Sequence, residues 1–353
     1  MSDGQVACGE RESGAQAVQW VLTTVGALVV GLVTNVVYDV VKYGAVRWPA
    51  VLMDRRSLPP AARAYDSATD GLYPFVTWSR ERRLTPETLR TSYVGQLRRG
   101  HVLVGDAWDE GVRRFEASGD RGRTAYIAGL EVDTGEHPAA RDLRVVIAES
   151  RYAQCLAAKT LVSADSAAQD RVLDAVRQGS HHFVTVAPPT MVSVCVAVLS
   201  AENRMLTLRR SLAVRTYPGQ WTVGINESMK YSDEPGREED FFALVHRGLQ
   251  EELGLGADNY GKIAISWLGW SGDAACYVLV ATVRSTLRSA QIDELRAQCH
   301  SVYEHDLAAW LPMTRSRIAR IIGSSGSGPD AAQQWSYLAP LVATELWRSR
   351  HTV

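Results

Sequence analysis

The sequence predicts an α/β protein: an α/β/α sandwich with a mixed sheet, preceded by one transmembrane helix and an α-rich linker segment. The membrane helix is predicted by an uncharged apolar stretch of nineteen residues, Trp20–Tyr38. The α/β class is predicted because apolar runs of strand length alternate with amphipathic helical segments from Asp142 onwards. The chain has 353 residues, 46% hydrophobic and 22% charged, which is typical of a globular protein of about two or three domains.

These patterns divide the chain into four consecutive parts. Residues 1–17 are an N-terminal leader, and residues 18–42 are the transmembrane helix. Residues 43–141 are a juxtamembrane linker and an α-rich segment, because the sequence SLPPAAR near its start interrupts helical periodicity. Residues 142–353 form the sandwich domain.

The charge and the cysteines argue against two classes of protein. Lys and Arg number 38 against 39 Asp and Glu, so the chain lacks the positive field with which proteins coat bulk nucleic acid. Its five cysteines include no CxxC pair, which argues against a structural zinc site. Their sparse distribution favours a reducing compartment over a disulfide framework.

The apolar stretch Trp20–Tyr38 has the length of a membrane span. As a helix, its nineteen residues extend about 29 Å, close to the thickness of the hydrocarbon core. Trp20 and Tyr38 stand at its two ends, where aromatic rings favour the membrane interface. A cleaved signal peptide is disfavoured because the leader is acidic rather than basic. The alternatives are a buried helix of a soluble domain and an interfacial helix, which the Thr and Asn residues of the stretch favour.

The residues after the span predict its orientation. Asp54 is the one acidic residue among five basic ones, which are Lys42, Arg47, Arg55, Arg56 and Arg63. Because basic residues concentrate on the cytoplasmic side, the sequence predicts a single-pass membrane protein with a cytoplasmic C-terminal domain.

One face of the predicted span carries small and polar residues at every fourth position. They are Thr23, Ala27, Gly31, Asn35 and Asp39. Such a stripe lets membrane helices approach and form hydrogen bonds, so a homo-oligomer is one expectation. Chance is the alternative, because valine-rich spans commonly include small residues.

The α-rich segment contains one specific helix prediction. Thr85–Arg99 begins with the sequence TPE, in which Thr85 can cap a helix and Pro86 suits its first turn. No chemical motif stands out between residues 63 and 140.

From residue 142 the elements are clearer. LRVVIAE predicts a buried strand, and SAAQDRVLDAVRQG predicts an amphipathic helix that ends near Gly179. MVSVCVAVLS and NRMLTLRRS predict two strands of a hairpin that turns at Glu202 and Asn203. A final helix is expected over residues 331–348.

The residues that carry chemistry lie on one helix near the middle of this domain. An apolar stripe recurs at helical spacing, at Phe242, Val245, Leu249 and Leu253. Arg247, Glu251 and Glu252 fall on the other side, and Gly254 ends the helix. Two adjacent carboxylates near an arginine form an acidic patch that can hold a hard divalent cation such as Mg²⁺. A solvated surface face is the plain alternative.

This segment resembles the core of the Nudix box. The family pattern is Arg-Glu, an aliphatic residue, any residue, Glu-Glu, any residue, Gly and an aliphatic residue. Residues 247–255 agree at eight of the nine places, and Gly248 stands where the family has Glu. The box covers residues 239–255, and the resemblance in the order of elements extends over about residues 190–320. It implies a Nudix-like fold for the sandwich domain.

The resemblance implies roles for the box residues. Glu251 and Glu252 would be ligands of Mg²⁺ or Mn²⁺, and Arg247 would orient a box carboxylate through a salt bridge. With the metal ion, they would cleave the phosphoanhydride of a nucleoside diphosphate derivative.

The glutamate missing at Gly248 needs a substitute if the site is catalytic. Glu239 stands at the family's first-glutamate interval, eight residues before Arg247. The alternative anchors are Gly224, which would then join the metal site, and Glu227, which could supply the missing carboxylate. Glu238 and Glu239 are further candidates for that carboxylate.

Several residues outside the box are candidates for binding the ligand. Phosphate contacts are predicted for Arg209, Arg210 and Arg215, each of which could equally be an exposed charge. Trp221 is a candidate substrate contact or a core residue, while Tyr217 and Trp267 could stack on a base or pack in the core. Among the histidines, His300 and His305 are candidate bases, and His246 is expected to be exposed.

Two functional hypotheses follow. One is a membrane-anchored, metal-dependent Nudix-type hydrolase. The other is a sensor whose Nudix-like domain binds a nucleotide without turnover and reorganises the membrane helices, a layout similar to membrane effectors of bacterial cyclic-oligonucleotide antiviral signalling. A scaffold with neither activity is the third possibility.

Overall fold

The computed structural model describes ten stretches of the chain, and all of them belong to one compact unit within residues 60–353. They are residues 72–77, 84–86, 88–97, 99–132, 143–214, 217–232, 238–299, 304–323, 335–336 and 338–350. The predicted leader and transmembrane helix, residues 1–42, lie outside them. Within these stretches, no helix combines the length and the apolar character that crossing a membrane requires.

The described residues form strands and α-helices in mixed order. The strands are β1 (Leu72–Thr77), β2 (Leu89–Val94), β3 (Arg123–Val132), β4 (Leu143–Arg151), β5 (Val192–Leu199), β6 (Arg204–Arg210), β7 (Trp221–Val223), β8 (Ile225–Ser228), β9 (Ala264–Ser271), β10 (Cys276–Arg284) and β11 (His305–Pro312). The helices are α1 (Asp106–Ala117), α2 (Tyr152–Ala164), α3 (Ser166–Arg177), α4 (Ser180–Val186), α5 (Phe241–Leu253), α6 (Ser289–Arg296), α7 (Arg315–Gly323) and α8 (Ala339–Arg350).

A mixed sheet forms the centre of the fold. Its strands run in the order β1-β9-β10-β5-β6-β11, with β7 paired to β6 and β8 paired to β5. The β10–β5 pair is parallel and the other pairs are antiparallel, which confirms the predicted α/β class with a mixed sheet. Helix α5 packs on β5 and β8, and α8 packs on β5, β7, β9 and β10. The helices thereby bury the apolar strands β5 and β10 in the core.

The predicted hairpin of β5 and β6 forms only at its turn. These two strands pair at Leu199 and Met205 and then separate. The gap is bridged by the segment β7-Gly224-β8, in which β7 pairs with β6 and β8 pairs with β5. Gly224 makes this crossing possible because its φ of 70° lies in the left-handed region and its backbone approaches Val196 too closely for a side chain.

The prediction of a helix over Thr85–Arg99 is wrong. Thr85 starts a turn in which the N–H of Leu89 donates to its carbonyl at 2.9 Å, as at a helix start. The chain then continues as strand β2, because LRTSYV carries β-branched and aromatic residues and pairs in parallel with β4. The turn at Thr85 depends on neighbouring residues, whereas strand β2 depends on pairing with β4, which lies more than fifty residues further along the chain.

The α-rich character and the boundary predicted for residues 43–141 are also corrected. The described part of this segment contains β1, β2 and β3 together with the single helix α1. Strand β1 pairs with β9 of the large sheet, and β2 and β3 flank β4 in a separate three-stranded sheet, termed here the small sheet. The predicted boundary at residue 142 therefore separates strands that pair with each other.

Three other elements confirm their predictions. LRVVIAE forms most of β4, SAAQDRVLDAVR forms α3, and the box helix is α5. The final helix begins later than expected, at Ala339, because Trp335 and Ser336 run as extended chain beside Trp221.

We predict that Gly224→Ala lowers the free energy of unfolding by about 3 kcal/mol or more. A Cβ atom there would overlap the Val196 carbonyl, and the left-handed backbone adds its own cost. Thermal unfolding of the full chain in detergent micelles measures the change. Gly122→Ala is the matched control, because nothing lies within 4 Å of a Cβ at that position. Equal unfolding temperatures for the two variants would contradict this packing.

Candidate functional site

Helix α5 presents the box residues because its two ends are fixed. The side chain of Asp240 caps its start, accepting a hydrogen bond from the Ala243 N–H at 2.7 Å. Gly254 ends it in the left-handed conformation, with a φ of 68°. The predicted apolar stripe is buried, at Phe242, Val245, Leu249 and Leu253. The opposite side of the helix is left to Arg247 and Glu251.

Arg247 binds Glu239 through a two-point salt bridge. Its Nε donates to Glu239 Oε1 at 2.6 Å, and its Nη2 donates to Glu239 Oε2 at 3.0 Å. The same Nη2 donates to the carbonyl oxygen of Ser228, at the end of β8, at 2.8 Å. One guanidinium thus connects the box helix, the chain before it and the preceding strand.

Two further carboxylates complete the shell of Arg247. Glu227 Oε1 lies 3.0 Å and Glu251 Oε2 lies 3.2 Å from Arg247 Nη1. Burial lowers the pKa of the Arg247 guanidinium, but the hydrogen bonds and charges of Glu239 and Glu227 outweigh it and raise the pKa. The arginine therefore stays charged and offsets the repulsion among three glutamates. This arrangement is consistent with the orienting role predicted for it.

Glu227 occupies the space beside Gly248. A Cβ atom on Gly248 would lie 3.0 Å from Glu227 Cβ and 3.2 Å from Ile225 Cδ1. A longer side chain at position 248 would therefore displace Glu227. The stem of Glu227 lies where a side chain from position 248 would begin, so the two positions are coupled.

Glu252 faces the interior rather than solvent. Its side chain is 4% exposed, and neither carboxylate oxygen has a hydrogen-bond partner. His305 Nδ1 lies 3.5 Å from Glu252 Oε2. Burial raises the pKa of Glu252 well above its usual range, and the charges of Glu304 and Glu227 raise it further. An unpartnered buried carboxylate is costly, which is typical of a functional position.

Glu304 is a site residue that the sequence analysis did not single out. It precedes β11, and its Oε2 lies 4.0 Å from Arg210 Nη2. Burial raises its pKa, Arg210 opposes this, and the charges of Glu227 and Glu251 raise it again. Glu304 thus lies in the field of the box carboxylates. The one signal available was the acidic sequence EHD before the late strand.

His305 differs from its predicted role as a base. His305 is buried, and burial together with Arg210 and Arg296 lowers its pKa to about 3. A neutral imidazole with so low a pKa is a weak base at neutral pH, which argues against that role. His246 is exposed, as predicted, although its Nδ1 hydrogen-bonds the Tyr260 hydroxyl. His300 lies outside the described residues.

The predicted phosphate contacts separate onto two sides of β6. Arg209 makes a two-point salt bridge with Asp306, at 2.8 and 2.7 Å, and is partly exposed. Arg210 is buried beside Glu304, so it belongs to the carboxylate cluster. Adjacent strand residues point to opposite faces, which explains the separation. Arg215 lies outside the described residues.

The candidate aromatic contacts mainly pack against other side chains. Trp267 is buried in β9, which makes it a core residue. Trp221 is partly exposed, with its ring centroid 6.5 Å from that of Trp335. Tyr217 donates from its hydroxyl to Asp273 Oδ2 at 2.7 Å. Of the three, Trp221 remains a candidate for both of its predicted roles, as a substrate contact or as a core residue.

The predicted metal ligands do not converge in this conformation. In the described stretches, no three His, Cys, Asp or Glu side chains come close enough together to hold a metal ion. Glu251 is bound by Arg247 and by Lys230 Nζ at 3.3 Å, and Gly224 has a packing role. The donor chemistry nevertheless fits a hard cation, because Glu252 has two acceptor oxygens without partners.

Sequence comparisons give partial likenesses. No protein-family profile matches the chain. An isopentenyl-diphosphate Δ-isomerase of Kocuria rhizophila is 35% identical over 71 residues, which are 20% of this chain and 36% of that protein. The Clavibacter sepedonicus isomerase is 38% identical over 58 residues, 16% of this chain and 27% of that protein. The chain thus spans about a third of the length of these curated relatives.

Comparison with solved structures finds Nudix-domain proteins at low scores. A MutT protein from Methanosarcina mazei has a TM-score of 0.24 and 22% identity, covering 36% of this chain and 79% of that one. The NUDIX domain of Shewanella oneidensis NrtR, solved with ADP ribose, has a TM-score of 0.28 and 12% identity. That likeness covers 45% of this chain and 87% of the NrtR domain.

We predict that Arg247→Met lowers the free energy of unfolding by about 3–5 kcal/mol at pH 7, because it leaves three neighbouring glutamates without their shared cation. Thermal unfolding at pH 7 measures the loss. Arg144→Met is the control, since its exposed ion pair with Glu131 contributes about 1 kcal/mol or less. Similar losses in both variants would refute the shared role of Arg247.

We predict that Glu252→Gln stabilises the metal-free protein by about 1–3 kcal/mol at pH 8. Its folded-state pKa is raised, so the wild-type chain loses stability as pH rises above the unfolded glutamate value of about 4.3. The gain should vanish near pH 4 and grow with pH. Thermal unfolding in the presence of a chelator, from pH 4 to pH 8, checks this. The exposed substitution Glu131→Gln should show no such trend.

Proposed function

We propose that this protein is a metal-dependent hydrolase of a nucleoside diphosphate derivative, with a Nudix-like site on α5. One observation carries the proposal: Arg247 organises three glutamates beside Glu252, a buried carboxylate with two unpartnered oxygens. A purely structural acid in this position would be costly without a partner. The resemblance of residues 247–255 to the Nudix box supports the same chemistry.

Mg²⁺ or Mn²⁺ is the cofactor that the donor set suits. Glu252 and Glu227 are the carboxylates we assign to it, because the charge of Glu227 acts on Glu252 inside the fold and raises its pKa. Glu251 and the carbonyl of Gly224 remain predicted ligands. When bound, the ion would polarise a phosphoryl oxygen and lower the pKa of a bound water.

The protein's own residues would hold the carboxylates in position and accept a proton during the reaction. Arg247 holds Glu227 and Glu239 in place, so these side chains need little reorganisation during the reaction. Glu304, half-buried and with a raised pKa, is suited to accept a proton from the attacking water at a carboxylate oxygen. Arg209, partly exposed at the edge of β6, is the described arginine we assign to the phosphates.

A diphosphate group in the ligand has support from the sequence relatives. Both isomerases that share a segment with this chain carry a diphosphate substrate in their names. We propose the same group here, joined to a nucleoside. Trp221, at the start of β7, is the proposed contact for the base. Its aromatic side chain is partly exposed and could stack on a base.

Membrane attachment is a further part of the proposal. Residues 18–42 would form the single span, with the catalytic part of the chain in the cytoplasm, and their small and polar stripe would support a homo-oligomer. The uncharged span Trp20–Tyr38 and the basic residues that follow it support this placement.

A nucleotide-sensing membrane effector is the second candidate function. Glu251 is held in ion pairs by both Arg247 and Lys230, which favours a site that binds a ligand and keeps its carboxylates neutralised. Ligand binding would then reorganise the membrane helices without turnover. This candidate predicts saturable binding and ligand-dependent oligomerisation that disappears when residues 1–44 are deleted.

Titration calorimetry with simultaneous product detection separates the two candidates. The full chain in detergent micelles is titrated with Mg²⁺ and nucleoside diphosphate derivatives, cyclic oligonucleotides and isopentenyl diphosphate. The hydrolase predicts Mg²⁺-dependent cleavage of the nucleoside diphosphate derivative by water into a nucleoside monophosphate and a second phosphomonoester, which Glu252→Gln abolishes. Binding without cleavage favours the effector, and the absence of both refutes the two candidates.

We predict that the carboxylate of Glu227 can be moved to position 248. Glu227→Gly should lower turnover by about 10²-fold, and Gly248→Glu alone should also be impaired because it collides with Glu227. The exchange variant Glu227→Gly/Gly248→Glu should recover at least about tenfold over Glu227→Gly. Steady-state formation of the nucleoside monophosphate checks this, with Arg144→Met as a distant control. An exchange variant no better than Glu227→Gly would show that Glu227 does not replace the box glutamate.

A further inference from the structure

The chain between β8 and α5 supplies two members of the Arg247 network. The backbone N–H of Lys230 donates to Glu239 Oε2 at 3.1 Å, and Lys230 Nζ donates to Glu251 Oε1 at 3.3 Å. Glu239 in turn holds Arg247 through two hydrogen bonds. The position of this segment therefore determines where the guanidinium lies.

The small sheet extends directly onto this segment. Thr124, on β3, forms an antiparallel bridge with Lys230. The neighbouring N–H of Ala125 donates to the carbonyl of Met229 at 3.3 Å. Strand β3 thus fixes the backbone of Lys230, whose N–H reaches the Glu239 carboxylate.

Tyr93, on β2, makes the most direct contact from the small sheet. Its hydroxyl donates a hydrogen bond to the main-chain carbonyl of Glu239. Its ring centroid lies 5.9 Å from that of Tyr231, which the Arg123 guanidinium covers at 5.1 Å. Burial raises the pKa of Tyr93, and the charge of Glu239 raises it further, so the hydroxyl keeps its proton over the physiological range. The donor is therefore always available.

We propose that Tyr93 is a positioning residue of the candidate active site, acting through the main chain of Glu239 on the orientation of Arg247. This inference rests on the proposed function for its catalytic consequence. It gives the small sheet a role that no motif in residues 72–132 indicates. The Tyr93 hydroxyl contacts the main chain of Glu239, the residue that binds the arginine.

The structure itself supplies a matched control. Tyr126, on β3 of the same sheet, is fully buried, and its hydroxyl has no hydrogen-bond partner. Tyr126→Phe therefore makes the same chemical change in the same sheet without removing a contact to the site. Any effect that Tyr93→Phe shares with it reflects the sheet as a whole.

Hydrogen exchange tests the positioning independently of activity. The full chain in detergent micelles, without ligand, is compared with Tyr93→Phe and Tyr126→Phe by mass spectrometry. Tyr93→Phe should speed exchange over residues 229–232 about fivefold, the change expected from one lost hydrogen bond. Tyr126→Phe should leave this region unchanged. In a Glu239→Gln background, Tyr93→Phe should add less than about twofold, because the Lys230 amide has already lost its charged acceptor.

Turnover of the proposed substrates adds the catalytic readout. Tyr93→Phe should lower kcat about fivefold with little change in KM, and Tyr126→Phe should lower neither. The inference would be overturned if Tyr93→Phe left exchange unchanged, or if Tyr126→Phe increased it equally. It would also be overturned if the effects of Tyr93→Phe and Glu239→Gln on exchange were fully additive. Altered exchange with normal turnover would also overturn it. If the wild-type chain shows no turnover, the proposed function fails, while the exchange data still judge the contact of Tyr93 with Glu239.

Discussion

The salt-bridge shell of Arg247 is the interaction on which the candidate site depends. The residue lies on α5, yet its guanidinium holds the end of β8 through Glu227 and Ser228, the chain before the helix through Glu239, and the helix itself through Glu251. A planar guanidinium with five donors can satisfy such divergent acceptors, which a lysine could not. Arg247 offsets the repulsion among the three like charges that surround it, and it thereby stabilises the arrangement of the strand, the chain before the helix and the helix.

This shell also explains how the chain can combine a box-like helix with a glycine at position 248. The space beside Gly248 is filled by the stem of Glu227, which reaches Arg247 from a strand rather than from the helix. Glu227 lies on β8, whose position depends on Gly224, where β7 crosses over to β8. The two glycines serve different purposes. Gly224 allows the chain to cross from β7 to β8, and Gly248 leaves room for Glu227 beside the helix.

More of the secondary structure could be predicted from the sequence after residue 142 than before it. Residues after 142 follow their patterns well, since LRVVIAE, SAAQDRVLDAVR and the box helix all bury an apolar face that periodicity reveals. Residues before 142 do not, because β2 has the start signal of a helix and becomes a strand only by pairing with β4. The small sheet they build reaches the site through Tyr93, which stands in no recognisable motif.

By itself, the sequence determined the α/β class, the box helix with its end at Gly254, and the side of that helix on which Arg247 and Glu251 lie. These properties are local, because they follow from spacing and a terminal glycine. The tertiary structure alone decided that Glu252 is buried without a partner, that Glu227 fills the space beside Gly248, and that Glu304 and Arg210 join the cluster. The physical reason is that burial and charge proximity depend on which distant strands lie beside the helix, and helical spacing within residues 239–255 contains no information about those strands.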